Sequence, residues 1–250
     1  MKSYNAQQIK RTLAKYSMGE VAIDLAPGVC LQMAEVTDAY TILEKMAEQE
    51  AKNRRVERFP YWAEIWPTSL ALARWFVEGR LPGPGGWACE LGCGLGLVGI
   101  ALAKAGWCVE ATDFVEDALI LTTYNARLNK VGARHRVGYL DWRNPVGAQK
   151  ECLVASDVIY EKKNHPYLER VLRELLAPGG FFFLGDPQRK AAAAFVALLQ
   201  QRGYGHQVET RQETWKGVEQ LVDIHVFTKP YAPSNSSKWR STDEAVAARS

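Results

Sequence analysis

Long apolar runs are missing from this sequence: no stretch approaches the roughly 20 residues that cross a bilayer. The opening segment, MKSYNAQQIKRTLAKY, also lacks the apolar core of a secretory leader. No membrane partner is expected, and the cytoplasm is the expected location. Cysteine is sparse. Cys30, Cys89, Cys93, Cys108 and Cys152 are scattered and odd in number, which argues against a disulfide framework. Cys89 and Cys93 miss the C-x-x-C spacing by one residue, with no second pair or histidine cluster to complete four converging ligands, so no metal is expected. The four histidines, His135, His165, His206 and His225, stand at no nucleophile spacing from Ser or Cys and read as surface or packing residues. Charge of one sign is scarce as well. A net charge of +3 does not argue for nucleic acid as the main partner, and Lys52-Asn53-Arg54-Arg55 reads as solvated surface.

What is present suits one medium α/β domain with appendages: 250 residues, 47% hydrophobic and 24% charged, with no internal repeats and a monomer as the default. An N-terminal extension over 1–58 reads as a helix from about Tyr4 to Tyr16, a hairpin turning at Pro27-Gly28, and a helix capped by Asp38 and running to about Asn53. A second unit over 59–229 begins with Phe59-Pro60-Tyr61-Trp62 and an apolar helix from Trp66-Pro67 through Phe76. Strands are then predicted at 87–91, 108–112, 136–140, 152–156 and 180–185, alternating with helices at 97–105, 116–130, 165–176 and 189–202. Such alternation predicts a doubly wound parallel sheet with helices on both faces. Pro178-Gly179-Gly180 reads as a turn before its last parallel strand. Segments 207–215 and 220–228, joined near Lys216-Gly217, read as an antiparallel hairpin at the sheet edge. Residues 230–250, rich in Ser, Ala, Pro and charge, are expected to be disordered.

The chemistry centres on Cys89-Glu90-Leu91-Gly92-Cys93-Gly94-Leu95-Gly96, a strand running into alternating glycines and a helix. Glycines let the backbone turn tightly and approach a ligand, and the helix N-terminus points amide dipoles at the ligand's polar end. Gly94-x-Gly96-x-x-Gly99 equally matches a dinucleotide fingerprint, with Asp113 at the expected distance to accept ribose hydroxyls in either case. Other residues separate the readings. Glu90 suits the cationic sulfonium and amine of S-adenosylmethionine better than a pyrophosphate. Asp141 and Trp142 offer a carboxylate for an adenine amino group and an indole for its face. Asp157-Val158-Ile159-Tyr160 follows the fourth strand, over the expected methyl position.

Three segments carry a resemblance: Tyr61-Trp62-Ala63-Glu64-Ile65-Trp66-Pro67, Glu90-Leu91-Gly92-Cys93-Gly94 and Ser156-Asp157-Val158-Ile159-Tyr160. In this order they resemble the family 16 protein-lysine methyltransferases, a branch of the seven-β-strand methyltransferases, from about Phe59 to Lys229. The resemblance implies a seven-stranded Rossmann-like sheet, S-adenosylmethionine as methyl donor and an amine acceptor, most simply a lysine of a protein substrate. It implies that Trp66, the backbone of Gly92, Cys93 and Gly94, Asp113, Trp142 and Ser156 line the cofactor site, and Glu90, Gly96, Phe114 and Asp141 are expected beside them. Asp157 and Tyr160, matching the family's D-x-x-Y motif, form the implied acceptor side. Gly185-Asp186-Pro187-Gln188-Arg189 is similar to a run in the flavoprotein-modifying members, although the residues around D-x-x-Y differ from theirs. Asp186 reads as a turn residue or as part of the site mouth.

Three alternatives stay open on sequence alone. They are a methyltransferase for a small-molecule amine or for a protein arginine or histidine, a non-catalytic cofactor-binding module, and a nicotinamide enzyme. A flat nucleic-acid base is a poor acceptor here, because the proline pair of the N/D-P-P-Y motif is missing.

Overall fold

Strands with apolar residues on both faces need cover on both sides, and five such runs form the centre of the molecule. The computed structural model describes residues 1–38, 60–80 and 86–231. The expected 38–53 helix, apart from Asp38 itself, and the expected disordered tail beyond Tyr231 lie outside the described residues. Strands β3 (Trp87–Leu91), β4 (Cys108–Asp113), β5 (His135–Tyr139), β6 (Lys150–Ser156) and β7 (Leu176–Asp186) are parallel, and β8 (Gly205–Trp215) and β9 (Val218–Thr228) close the edge antiparallel. The seven strands lie in the order β5-β4-β3-β6-β7-β9-β8. The chain therefore winds outward from β3 in one direction and returns to β6 on the other side. That reversal opens a crevice at the carboxyl ends of the central strands, where ligands of such sheets bind.

Helices α2 (Pro67–Val77), α3 (Leu97–Lys104) and α4 (Glu116–Leu128) cover one face, burying Leu70, Leu72, Phe76, Ile100 and Leu121 against Ala88, Val109, Val154 and Phe183. The opposite face carries α5 (His165–Leu175) and α6 (Ala192–Gln201), with Leu172, Phe195 and Leu199 packed on Leu153, Phe182, Leu184 and Phe227. The two-residue turn Lys216-Gly217 has positive φ at both positions (48° and 80°), as a type I′ hairpin requires.

Two of the expected boundaries that moved did so for clear physical reasons. Pro178-Gly179-Gly180 lies inside β7 rather than before it. Lys150 pairs with Leu176 and Cys152 with Phe181, so the glycines form a bulge that the partner strand does not match. Helix α6 starts at Ala192, not at 189: Gln188 is left-handed (φ 57°) and the Arg189 N–H is taken by the Asp186 carboxylate at 2.8 Å. Residues 187–191 are consequently a loop at the crevice mouth.

The N-terminal part consists of α1 (Ala6–Leu13), whose capping box is Asn5 with Gln8, and the antiparallel pair β1 (Met18–Ala26) and β2 (Val29–Val36). The free side of β2 is covered by side-chain amides. Asn125 accepts from the Ala34 N–H at 2.8 Å and donates to the Ala34 carbonyl at 3.1 Å. Asn129, one helical turn on, does the same with Gln32 at 2.9 and 2.7 Å. Two asparagines at i, i+4, one in α4 and one capping its end, thus stand in for a neighbouring strand.

Candidate active site

A cavity of about 660 Å³ occupies the crevice, within the size range of a cofactor site. It is walled by the segments that follow β3, β4, β5 and β6, together with Tyr61–Trp66 and Arg189. All the expected site residues except Gly96 line it.

The glycine turn is built from backbone bonds. The N–H groups of Gly92 and Cys93 both donate to the Thr112 carbonyl, at 2.8 and 2.9 Å, and the Gly94 N–H donates to Asp113 Oδ2 at 3.2 Å. Gly96 caps α3 with φ 85°, and a Cβ there would lie 2.6 Å from Thr122 Cγ2, so its part is to let α3 start close against α4. Gly99 has a different reason from the one a dinucleotide fingerprint gives. A Cβ at Gly99 would lie 2.4 Å from Glu90 Oε2, and the Gly99 N–H donates to that oxygen at 3.1 Å. The missing side chain makes room for the Glu90 carboxylate to cap the first turn of α3.

Glu90 is fully buried, and burial pushes its carboxyl up to about 8. One of its oxygens is committed to α3, so its part in holding a ligand is shared with a structural one. Asp113 ends β4 with Oδ1 accepting from Val115 N–H at 2.9 Å, and burial raises its carboxyl too. Phe114, beside it, is 55% exposed and forms an open rim. Asp141 is tied to Arg143 through both oxygens, at 2.5–3.0 Å, and the guanidinium holds its carboxyl below the usual range. Trp142 lies against Gly92: a Cβ there would meet its Cζ2 at 3.5 Å. The Trp66 indole N–H donates to the Tyr61 carbonyl at 3.0 Å, which sets the ring at the cavity edge. Ser156 Oγ is buried without a hydrogen-bond partner, a polar atom that a ligand in this cavity would satisfy.

On the side where the acceptor is expected, Asp157 directly follows β6 in the left-handed region (φ 52°), held by its N–H on the Gly185 carbonyl at 2.9 Å. Tyr160 packs on Tyr61 with ring centres 5.2 Å apart. Sequence reasoning missed a third member. Arg189 reaches across from the loop before α6 and grips Asp157 with both arms, Nε to Oδ1 at 2.6 Å and Nη2 to Oδ2 at 2.8 Å. Its guanidinium also sits over the Tyr160 ring, 5.8 Å from the centre. Asp186, fully buried with its carboxyl pushed up to about 6, holds the Arg189 main chain and so acts as the turn residue. The signal available in sequence was an arginine three residues beyond Asp186, masked by its nearness to an alanine-rich helix.

A family model described as lysine methyltransferase matches residues 43–202. The chain belongs to the lysine methyltransferase family. It is 31% identical over 146 residues to EEF1A lysine methyltransferase 3 of Mus musculus, covering 56% of this chain and 62% of that one. It is 30% identical over 135 residues to the electron transfer flavoprotein beta subunit lysine methyltransferase of Danio rerio, covering 52% and 51%. The chain thus spans about half to three fifths of the length of these curated relatives. Among solved structures, magnesium protoporphyrin IX methyltransferase from Synechocystis PCC 6803 superposes with a TM-score of 0.51 at 20% identity, covering 64% of this chain and 77% of that one, and shares the fold. The seven-stranded methyltransferase architecture implied by the three sequence segments is borne out.

The residues present fit S-adenosylmethionine. The glycine turn, the buried acidic pair Glu90 and Asp113, the Trp142 indole and the unpartnered Ser156 hydroxyl supply the contacts that a nucleoside carrying a cationic tail calls for.

Proposed function

We propose that this protein transfers a methyl group from S-adenosylmethionine to the side-chain amine of a lysine in a protein substrate. The observation that carries the reading is the continuity of one cavity from the glycine turn at β3 to the Asp157–Tyr160 pair at β6. The cofactor supplies a methyl carbon activated by a sulfonium. The chain's own residues position and desolvate the acceptor. A lysine amine has an ordinary pKa of about 10.4 and attacks only when neutral. Asp157 receives and orients the incoming ammonium, Tyr160 and Tyr61 form an aromatic wall beside it, and the low-polarity channel favours loss of its proton.

In this reading Glu90 and Asp113 face the amine and ribose ends of the cofactor, with Trp66, Phe114 and Trp142 as its apolar surroundings. The protein acts as a monomer, without nucleic acid, and residues 1–58 form an extension to a methyltransferase unit over 59–229. Five unpaired cysteines suit a reducing compartment, which supports the cytoplasm as its place of action.

The test is incubation with methyl-labelled cofactor and lysate of cells lacking the protein. Label is expected on protein, at lysine by mass spectrometry, and its loss is expected with Asp157→Asn while S-adenosylhomocysteine still binds. Label found only in the small-molecule fraction overturns the protein substrate.

A further inference from the structure

The carboxylate assigned to the acceptor ammonium is already engaged. Asp157 is 10% exposed at its side chain and both of its oxygens meet the Arg189 guanidinium in the fork geometry, the strong form of an ion pair. An amine entering from the cavity competes with the guanidinium for this nearly buried carboxylate, and Arg189 cannot withdraw far. Its main-chain N–H is fixed on Asp186, the residue before it is left-handed, and its guanidinium caps the Tyr160 ring. The displaced charge therefore stays within a side chain's length of the acceptor. Among the described residues, the two acids of the β7 and β9 ends beside Arg189 are already in use. Asp186 is fully enclosed beneath the loop, and Asp223 Oδ1 already accepts from Gln188 and Thr210, at 3.2 and 2.6 Å. Exposed cations stand close by in the chain, Lys162 two residues after Tyr160 and Lys190 next to Arg189.

We infer that Arg189 is a specificity-determining residue that selects a lysine with a carboxylate beside it. The substrate's amine replaces the guanidinium on Asp157, and the substrate's carboxylate receives the guanidinium so released. The ion pair is exchanged rather than broken, which spares the cost of an unpaired charge at a half-buried site. Selection also acts against other partners: a lysine in a basic or neutral surface leaves two cations competing for one carboxylate. This inference rests on the proposed acceptor role of Asp157.

A double-mutant cycle across the interface tests it. The methylated lysine is first located by labelling a lysate with methyl-labelled S-adenosylmethionine and sequencing the modified protein. The nearest Asp or Glu of that substrate is then changed to its amide and assayed with wild type and with Arg189→Gln. The carboxylate is expected within side-chain reach of the lysine. Its removal is expected to raise KM about ten-fold with wild type and less than two-fold with Arg189→Gln, kcat changing little. Arg189→Lys should restore part of the coupling. Unchanged S-adenosylhomocysteine affinity shows that the Arg189 variants are folded. Additive effects, or a modified lysine with no carboxylate in reach, overturn the inference while leaving lysine methylation standing. No protein-bound label with wild type overturns the underlying reading instead.

Discussion

Glu90 carries a carboxyl group that water does not reach, between the glycine turn and the first turn of α3. Its folded pKa is about 8, against an ordinary 4.5. The sign follows directly. Between these values the folded protein holds a proton that the unfolded chain has released, so the contribution to stability is full below pH 4.5 and is lost as pH rises through 8. Each unit in that window costs about 1.4 kcal/mol at the limit, and a total on the order of 2–4 kcal/mol is expected. Urea unfolding of wild type and Glu90→Gln at pH 5, 6.5 and 8 reads this group, because titrations away from it are common to both. The variant should gain on wild type as pH rises; parallel curves would show that Glu90 is ionised in the fold. Glu90 and Asp113 were legible in the sequence because each stands at or next to the last residue of a strand, beside a recognisable turn. Arg189 was not. It meets Asp157 across 32 residues, and the alanines that follow it extend a helical pattern over what is in fact a loop.

At the scale of elements, the edge of β2 depends on two amide side chains. Asn125 is fully buried and makes three hydrogen bonds with main-chain groups: the Ala34 N–H and carbonyl, and the Leu95 carbonyl at 2.9 Å. Asn125→Ala strands those groups away from water, a loss on the order of 2–4 kcal/mol. A fall in the chemical-denaturation midpoint is the expected result. Asn125→Asp should also destabilise, since a carboxylate keeps the acceptor but loses both donors. A change under about 0.5 kcal/mol for Asn125→Ala would mean that water replaces the amide. The hairpin was visible in the sequence through its alternation about Pro27-Gly28, and α4 through its length. Their junction was not, because what Asn125 and Asn129 recognise is backbone, which leaves no mark on the side-chain pattern of β2. The β7 boundary failed for a related reason. Pro178-Gly179-Gly180 has turn composition, and only pairing with β6 shows that the strand carries it as a bulge.

The same asparagine links the two ends of the molecule's construction. Leu95 lies in the glycine turn, between Gly94 and Gly96, and shares Asn125 with the backbone of β2. In the first turn of α4, Asp117 accepts from the Tyr16 hydroxyl at 2.5 Å, and the Tyr16 ring lies edge-on to Trp62, 5.6 Å away, beside the cavity. The N-terminal elements are therefore bonded to segments that wall the cavity. A ligand that orders the glycine turn must then steady the hairpin through a contiguous set of hydrogen bonds, whose two ends are coupled reciprocally. Hydrogen exchange with and without saturating S-adenosylhomocysteine checks this. The amides of Gln32 and Ala34, bonded to Asn129 and Asn125, should exchange several-fold more slowly in the complex. Those of the β8–β9 turn, at the far edge of the sheet, should not change unless the whole fold is stabilised. The contrast should vanish in Asn125→Ala, provided that variant is compared below its own unfolding transition. Equal slowing at both places would show that the ligand acts through global stability alone, and the N-terminal elements would then be a cover for α4 with no tie to the chemistry.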